Sequence, residues 1–251
     1  GPPSTGKTTA VETLRALLGE YASSATFSTF LSKDDSIRND IACLAGARMV
    51  TAAESTEGRH LNEALIKQVT GGDVVKARFL YKEHFQFTPR FKLWLLSNFK
   101  PIISGTDAAI WRRIRLIPFT TVVPTEDWDK DLLDKLRSQE ELEGILAWAV
   151  RGGLQWQDLS GLQPPDQVIL ATKSYHEEMD FVGHFLDDCC SLEPTASTKA
   201  MLLYQTYVDW SQKSGQEVVS LYSFGCRLTE KGLPVKRTEA GKLRLGIALK
   251  Q

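Results

Sequence analysis

Eight residues at the head of the sequence, Gly1-Pro2-Pro3-Ser4-Thr5-Gly6-Lys7-Thr8, match the pattern G-x-x-x-x-G-K-[ST] at every defined position. The pattern is restrictive because it asks for three things at once. Backbone N–H groups must wrap closely around phosphate oxygens, a lysine must reach the β and γ phosphates, and a hydroxyl must hold a magnesium ion. Lys7 and Thr8 are the residues for the last two tasks, and Thr9 flanks them. Apolar residues at Val11, Leu14, Leu17 and Leu18 follow at helical spacing. The loop therefore opens a helix whose positive end faces the phosphates. The strand that ordinarily precedes such a loop is not in the sequence, so the expected parallel α/β sheet lacks its first strand.

A phosphate cradle of this kind needs a carboxylate at the end of a neighbouring strand, to hold magnesium and polarise the attacking water. Arg48 to Glu54 and Phe91 to Asn98 are short apolar runs ending in a polar residue. Buried parallel strands that deliver side chains to a site at their C-terminal ends look like this. Glu54 is then the catalytic carboxylate and second magnesium ligand, with Glu57 as the weaker candidate in the following loop. Asn98 is a residue to orient water and sense the γ-phosphate, or simply a turn former. Arg112, Arg113 and Arg115 follow a short helix from Thr106 to Trp111. They are either a solvated face or the source of an arginine finger that reaches a neighbouring subunit's phosphate.

Further elements follow from pattern. Ala25 to Phe30 alternates and predicts a strand. Asn62 to Val69 predicts a helix, and Val74 to Phe87 two strands turning at Tyr81 to His84. Glu126 to Trp156 predicts helix, with Gly152-Gly153 and Asp158 to Pro165 as a linker. This gives two domains, 1–156 and 166–251. In the second, a long helix begins near Asp166, and helices follow at Lys199 to Ser211 and from Ser220. Two basic strands around the turn Glu239-Ala240-Gly241 complete a winged helix.

The net charge is only −1, which by itself argues against nucleic acid, but the distribution of charge points the other way. From Arg59 to Arg115 there are eleven Lys or Arg against four acids, and from Lys231 to Gln251 six against one. Between Glu126 and Glu143 eight acids oppose three bases and hide the two basic stretches in the total. Lys76, Arg78, Lys82 and His84 lie on or near the predicted hairpin turn, and Lys67 lies just before it, so these five are the candidates for DNA contact. Four cysteines without a C-x-x-C pair read as reduced and structural. No apolar run reaches the length of a membrane span and no leader is visible, so a cytoplasmic location, in a bacterium or a host cell, is expected.

The order of these blocks is similar to that of a known family. Gly1 to Thr8, Arg48-Met-Val-Thr-Ala-Ala-Glu54, Lys67-Gln-Val-Thr-Gly-Gly-Asp73 with Ala77-Arg78, Trp94 to Pro101, Gly105-Thr-Asp107, and Trp111-Arg-Arg113 to Pro118-Phe119 follow one another as in the superfamily 3 helicase domain of phage and plasmid primase-helicases. The resemblance covers residues 1 to about 120. Beyond them, Tyr207-Val-Asp-Trp210, Phe224-Gly-Cys-Arg-Leu228 and Lys231-Gly232 look like that family's C-terminal winged helix, less specifically.

The resemblance implies an AAA+ type ATPase ring, usually a hexamer, that hydrolyses ATP with Mg2+ and translocates 3′ to 5′ on single-stranded or forked DNA. Lys7, Thr8 and Glu54 match the two Walker motifs, Asn98 the sensor, and Arg112 or Arg113 the finger acting in trans. The block from Lys67 to Phe87 matches the pore lining. A primase domain often accompanies such a motor on the parent chain, and the sequence contains none. Two rival readings stay open: an ATPase that loads or remodels rather than unwinds, and a non-enzymatic winged-helix DNA-binding fragment.

Overall fold

The computed structural model describes residues 1–31, 39–54, 56–105, 107–239 and 241–250; the side chain of Glu54 also lies outside the description. The chain divides into two compact units, Gly1–Tyr175 and His176–Gln251.

The first unit is built on a three-stranded parallel sheet. Helix α1 (Lys7–Leu18) leads through a 3-10 turn into strand β1 (Ala22–Ser24). Helix α2 (Asn39–Ala42) precedes β2 (Met49–Glu54), and helix α3 (Glu63–Thr70) leads to the hairpin of β3 (Val75–Ala77) and β4 (Phe85–Phe87). Strand β5 (Lys92–Ser97) returns to the sheet, whose order is β1-β2-β5. The register sets Ala22 beside Met49, Thr51 beside Trp94 and Glu54 beside Ser97. Both apolar runs read from the sequence are thus adjacent parallel strands whose polar ends lie at the same edge. Val50 and Ala52 are buried there with Ile103 and Ile110.

One predicted strand is absent. Ala25 to Phe30 holds a 3-10 turn, Phe27–Phe30, while the strand lies just before it at Ala22–Ser24. Phe27 and Phe30, both buried, stand three residues apart. A 3-10 turn stacks that spacing on one side, whereas a strand would face the two rings to opposite sides.

After the short helix α4 (Ala108–Trp111) the expected single helical stretch is broken into α5 (Leu132–Leu136) and α6 (Gln139–Asp158). Ser138 interrupts them by capping α6, its hydroxyl accepting the Glu141 N–H at 3.4 Å. Gly152 and Gly153 are no linker, because they lie inside α6. Each glycine costs a helix about 1 kcal/mol relative to alanine, which does not end a helix already capped and carrying Glu140 and Glu141 in its first turn. Residues 159–165 are non-helical, and helix α7 (Asp166–Glu178) follows.

The second unit runs α8 (Phe181–Cys189), β6 (Cys190–Lys199), α9 (Ala200–Ser214), α10 (Leu221–Glu230), β7 (Val235–Thr238) and β8 (Gly241–Leu249). Its antiparallel sheet has the order β6-β8-β7. Tyr207 is fully buried at its centre, stacked on Phe224 at 4.7 Å and edge-on to Phe185 at 5.5 Å. Its hydroxyl donates to the Glu217 carbonyl at 3.0 Å and accepts the Val219 N–H at 3.2 Å, which satisfies the buried phenol. Strand β6 has no signal in the sequence pattern. Its pairing with β8 shifts between Leu192 and Ser197, so Glu193-Pro194-Thr195-Ala196 breaks the alternation. Pro194 is tolerated because β6 is an edge strand.

Candidate functional site

The glycine-containing loop and the C-terminal edge of the parallel sheet meet. The Gly1 nitrogen donates to the carbonyl of Ser97, the last residue of β5, at 3.3 Å. On its other side the loop packs on the segment 119–123: a Cβ at Gly1 would lie 2.1 Å from the Phe119 carbonyl oxygen, and Val123 N–H donates to the Ser4 carbonyl at 2.9 Å. Gly6 turns the chain into α1 with φ +79°, a left-handed conformation that favours glycine.

The first backbone bond across this turn runs from Ala10 N–H to the Gly6 carbonyl at 2.9 Å. The N–H groups of Lys7, Thr8 and Thr9 therefore precede the helix ladder, and no side chain caps Gly6. Donors of this kind at a helix's positive end suit phosphate oxygens. The Lys7 ammonium folds back over the loop, 2.8 Å from the Gly1 carbonyl, 2.5 Å from that of Pro2 and 3.1 Å from the Thr5 hydroxyl. Thr5 is buried and donates to the Pro2 carbonyl at 3.1 Å. Thr8 is exposed one residue beyond.

Glu54 closes β2 opposite Ser97, and exposed Asn98 follows β5 by one residue. Both sequence-predicted polar ends are thus at the edge where the loop sits. Glu57 is exposed beyond the strand.

The arginine segment is anchored to α3. Asp107 caps α4 through Ile110 N–H at 3.0 Å and receives the Lys67 ammonium at 2.6 Å. The bond from Lys67 is the main reason the Asp107 carboxyl lies below its ordinary range; burial opposes it, and the backbone N–H of Ile110 adds a lesser lowering effect. Trp111 is buried and donates to the Gly105 carbonyl at 2.8 Å. The arginines then diverge. Arg112 is exposed, and its guanidinium makes no hydrogen bond or ion pair with the described residues. Arg113 donates to the Ala109 carbonyl, and its Nε is buried without a partner among the described residues. Arg115 is turned back on the Arg112 and Ile114 carbonyls.

The hairpin presents Lys76, Lys82 and His84 to solvent and Arg78 partly so. Lys67 is not among them, because it sits on α3 in its ion pair with Asp107. A feature the charge count overlooked is aromatic: Phe79, Phe85 and Phe87 stack in sequence at 5.6 and 5.9 Å, Lys82 lies over the Phe79 ring, and Tyr81 is fully exposed with φ +61°. The spacing 79, 81, 85, 87 among basic residues was the available signal.

In the second unit Lys236, Arg237 and Lys242 are exposed on β7 and β8. Arg244 is buried instead, donating to the Gly225 and Leu233 carbonyls and the Thr229 hydroxyl. Burial draws its guanidinium below its usual range. The exposed residues of α10 include Tyr222, Cys226, Thr229 and Glu230, with no base among them.

Fold and site together define a mixed α/β protein with a loop-to-helix turn at the C-terminal edge of a parallel sheet. Residues 1–113 match the family described as "Family of unknown function (DUF5906)". The chain is 34% identical over 234 residues to a protein of Acanthamoeba polyphaga mimivirus named "Putative helicase L207/L206", and 27% identical over 231 residues to "Putative helicase 022R" of Frog virus 3. Each alignment takes in 84% of this chain and 24% of the relative, so the chain spans about a quarter of their length. An apo structure of the NrS-1 C-terminal region aligns with 99% of this chain and 65% of that one, at 13% identity and a TM-score of 0.44. Among the described residues no helix is long and apolar enough to cross a membrane.

Proposed function

We propose that this chain is the ATP-hydrolysing motor segment of a DNA helicase, with residues 1–156 as the ATPase and 166–251 as a helical connector and winged helix. The observation that carries the reading is the convergence of three features at one sheet edge: the Lys7 ammonium folded over the Gly1–Thr8 turn, the uncapped N–H groups opening α1, and the strand ends at Glu54 and Asn98. The helicase names of the viral relatives point the same way.

In this reading the loop N–H groups and Lys7 hold the β and γ phosphates of ATP. Thr8 and Glu54 hold Mg2+, whose charge offsets that of the phosphates. Glu54 polarises the attacking water and Asn98 orients it. Arg112, exposed after α4, is the finger that reaches a neighbouring subunit's ATP, in a homo-oligomeric ring of the hexamer type; Arg113, held by Ala109, fixes the segment.

The hairpin is the single-strand contact. Basic residues near its tip meet phosphates, while Tyr81 offers a ring for a base to stack on, which favours single strands over duplex. The order helix-strand-helix-helix-strand-strand of the second unit, with two helices ahead of a basic hairpin, supports the winged-helix reading. Exposed Lys236, Arg237 and Lys242 suit phosphate contacts, and a helix α10 without exposed bases suits little reading of base sequence. A strand-displacement assay on a forked duplex tests the reading. ATP-dependent unwinding by the wild type, lost in Lys7→Ala, supports it; ATP hydrolysis without displacement points to a loading or remodelling ATPase.

A further inference from the structure

We infer that α3 is a coupling rod between the hairpin and the arginine segment, and that Lys67 and Asp107 are its positioning pair rather than Lys67 a DNA contact. The inference rests on the reading of the chain as a DNA-stimulated ATPase.

Two bonded contacts and one close approach run the length of the helix. At its first residue, the Glu63 carboxylate accepts the Gly105 N–H at 2.6 Å, and a Cβ on Gly105 would lie 2.1 Å from the other Glu63 oxygen. Only a residue without a side chain lets that carboxylate seat. One turn later Lys67 donates to one Asp107 oxygen at 2.6 Å, while the other oxygen starts α4. At the far end, a Cβ placed on Gly71 would be 3.5 Å from Arg113 Nη2, so that guanidinium lies beside the last turn of α3. The opposite face of α3 is anchored by buried Leu65, Ile66 and Val69.

The two ends of this assembly carry the two halves of the proposed function. A short turn after α3 the chain enters β3 of the hairpin, and the pinned segment 105–113 contains exposed Arg112. An eight-residue helix is about 12 Å of stiff backbone. Movement of the hairpin on a DNA strand reaches α3 through the turn Gly71-Gly72-Asp73-Val74 and passes from the helix to the arginine segment through these contacts. Lys67, committed to Asp107 with 32% of its side chain exposed, is placed to hold this linkage and not to follow a phosphate.

Three variants test the pair. Lys67→Met removes the charge but keeps the stem, Asp107→Asn keeps a capping oxygen but loses the charge, and Lys67→Arg keeps a cation. Each is measured for single-strand affinity over a range of salt, basal ATP hydrolysis and DNA-stimulated hydrolysis. The expected result is that Lys67→Met and Asp107→Asn each lower the ratio of stimulated to basal rate roughly threefold, the size a half-exposed ion pair can hold. The double variant is no worse than either, Lys67→Arg recovers most of the ratio, and affinity and salt slope stay unchanged.

A fall in the salt slope of about 0.7 in Lys67→Met alone identifies a phosphate contact and overturns the inference. So does an equal loss of basal and stimulated rates, which marks a purely structural pair. A wild type whose hydrolysis does not respond to DNA removes the underlying reading, and the coupling with it; that failure shows in the wild type and is distinct from the other two.

Discussion

The Lys7 ammonium lies 3.1 Å from the Thr5 hydroxyl, which in turn donates to the Pro2 carbonyl, so one buried threonine organises both the lysine and the turn it spans. Lys7→Ala is expected to lose ATP binding and hydrolysis together. Thr5→Val is expected to retain the fold with a stability loss of about 0.5–1.5 kcal/mol, the size of one lost hydrogen bond, since Lys7 still donates to the Pro2 carbonyl, together with weakened nucleotide binding. Denaturant melts and fluorescent-nucleotide titrations check both. Nucleotide binding unchanged in Lys7→Ala would remove the lysine from the site.

Glu54→Gln separates binding from turnover. It is expected to bind ATP as the wild type does and to hydrolyse it at least about a hundredfold more slowly, consistent with loss of a general base. Full-rate hydrolysis would move the role to Glu57, the next carboxylate along the chain.

Arg112 and Arg113 are expected to differ although they are neighbours. Arg112→Ala should leave thermal stability unchanged and cut hydrolysis by about 10³-fold. Arg113→Ala should lower the melting temperature, because its guanidinium is engaged with Ala109 and lies beside the end of α3. Mixing Arg112→Ala with Glu54→Gln protein should restore activity, since intact Glu54 on one subunit then meets intact Arg112 of another. Co-assembly without recovery would make Arg112 a surface charge.

Neighbouring arginines with different surroundings show what a sequence can and cannot convey. The loop, both long parallel strands, the α3 helix and the hairpin were legible, because each has a local period or a spacing that a single motif dictates. Gly105 and Glu63, forty-two residues apart, carry no such pattern, and neither does the burial of Arg244 inside a basic run. Counting charges puts Lys67 with the DNA contacts and includes Arg244 among the six bases of the run from Lys231 to Gln251. Only tertiary neighbours show that one is paired and the other enclosed. Strand β6 escaped for a related reason, since a bulge containing Pro194 erased its alternation.

For the hairpin, Tyr81→Ala is expected to weaken single-strand binding by about 1–3 kcal/mol, roughly a fivefold to hundredfold change, with the salt slope unaltered. Lys82→Ala with His84→Ala should instead reduce the slope by about 0.7 for each phosphate no longer neutralised. Equal effects of both variants on the slope would mean that Tyr81 does not stack.

Cysteine reactivity offers a check on the second unit. Burial, with Cys189 beside it, pushes the Cys190 thiol up to about 12. At neutral pH, alkylation read by mass spectrometry should label exposed Cys43 and Cys226 and spare Cys190. Since the folded thiol titrates above its ordinary value near 9, the folded state holds the proton longer. The stability this thiol contributes is then full below about pH 9 and falls as pH rises from there toward 12. Labelling of Cys190 as fast as Cys226 in native protein would contradict the buried placement.

Lys7 and the sheet edge beside it are proposed to form an ATPase driven by single-stranded DNA, and everything assigned to the hairpin and the arginines depends on that. The most direct measurement is phosphate release from ATP with Mg2+ by wild type and Lys7→Ala protein, with and without a single-stranded oligonucleotide. The expected result is hydrolysis that rises on adding the strand and is absent from Lys7→Ala in both conditions. Hydrolysis that ignores the Lys7 substitution, or a wild type that neither binds nor hydrolyses ATP with DNA present, would contradict it.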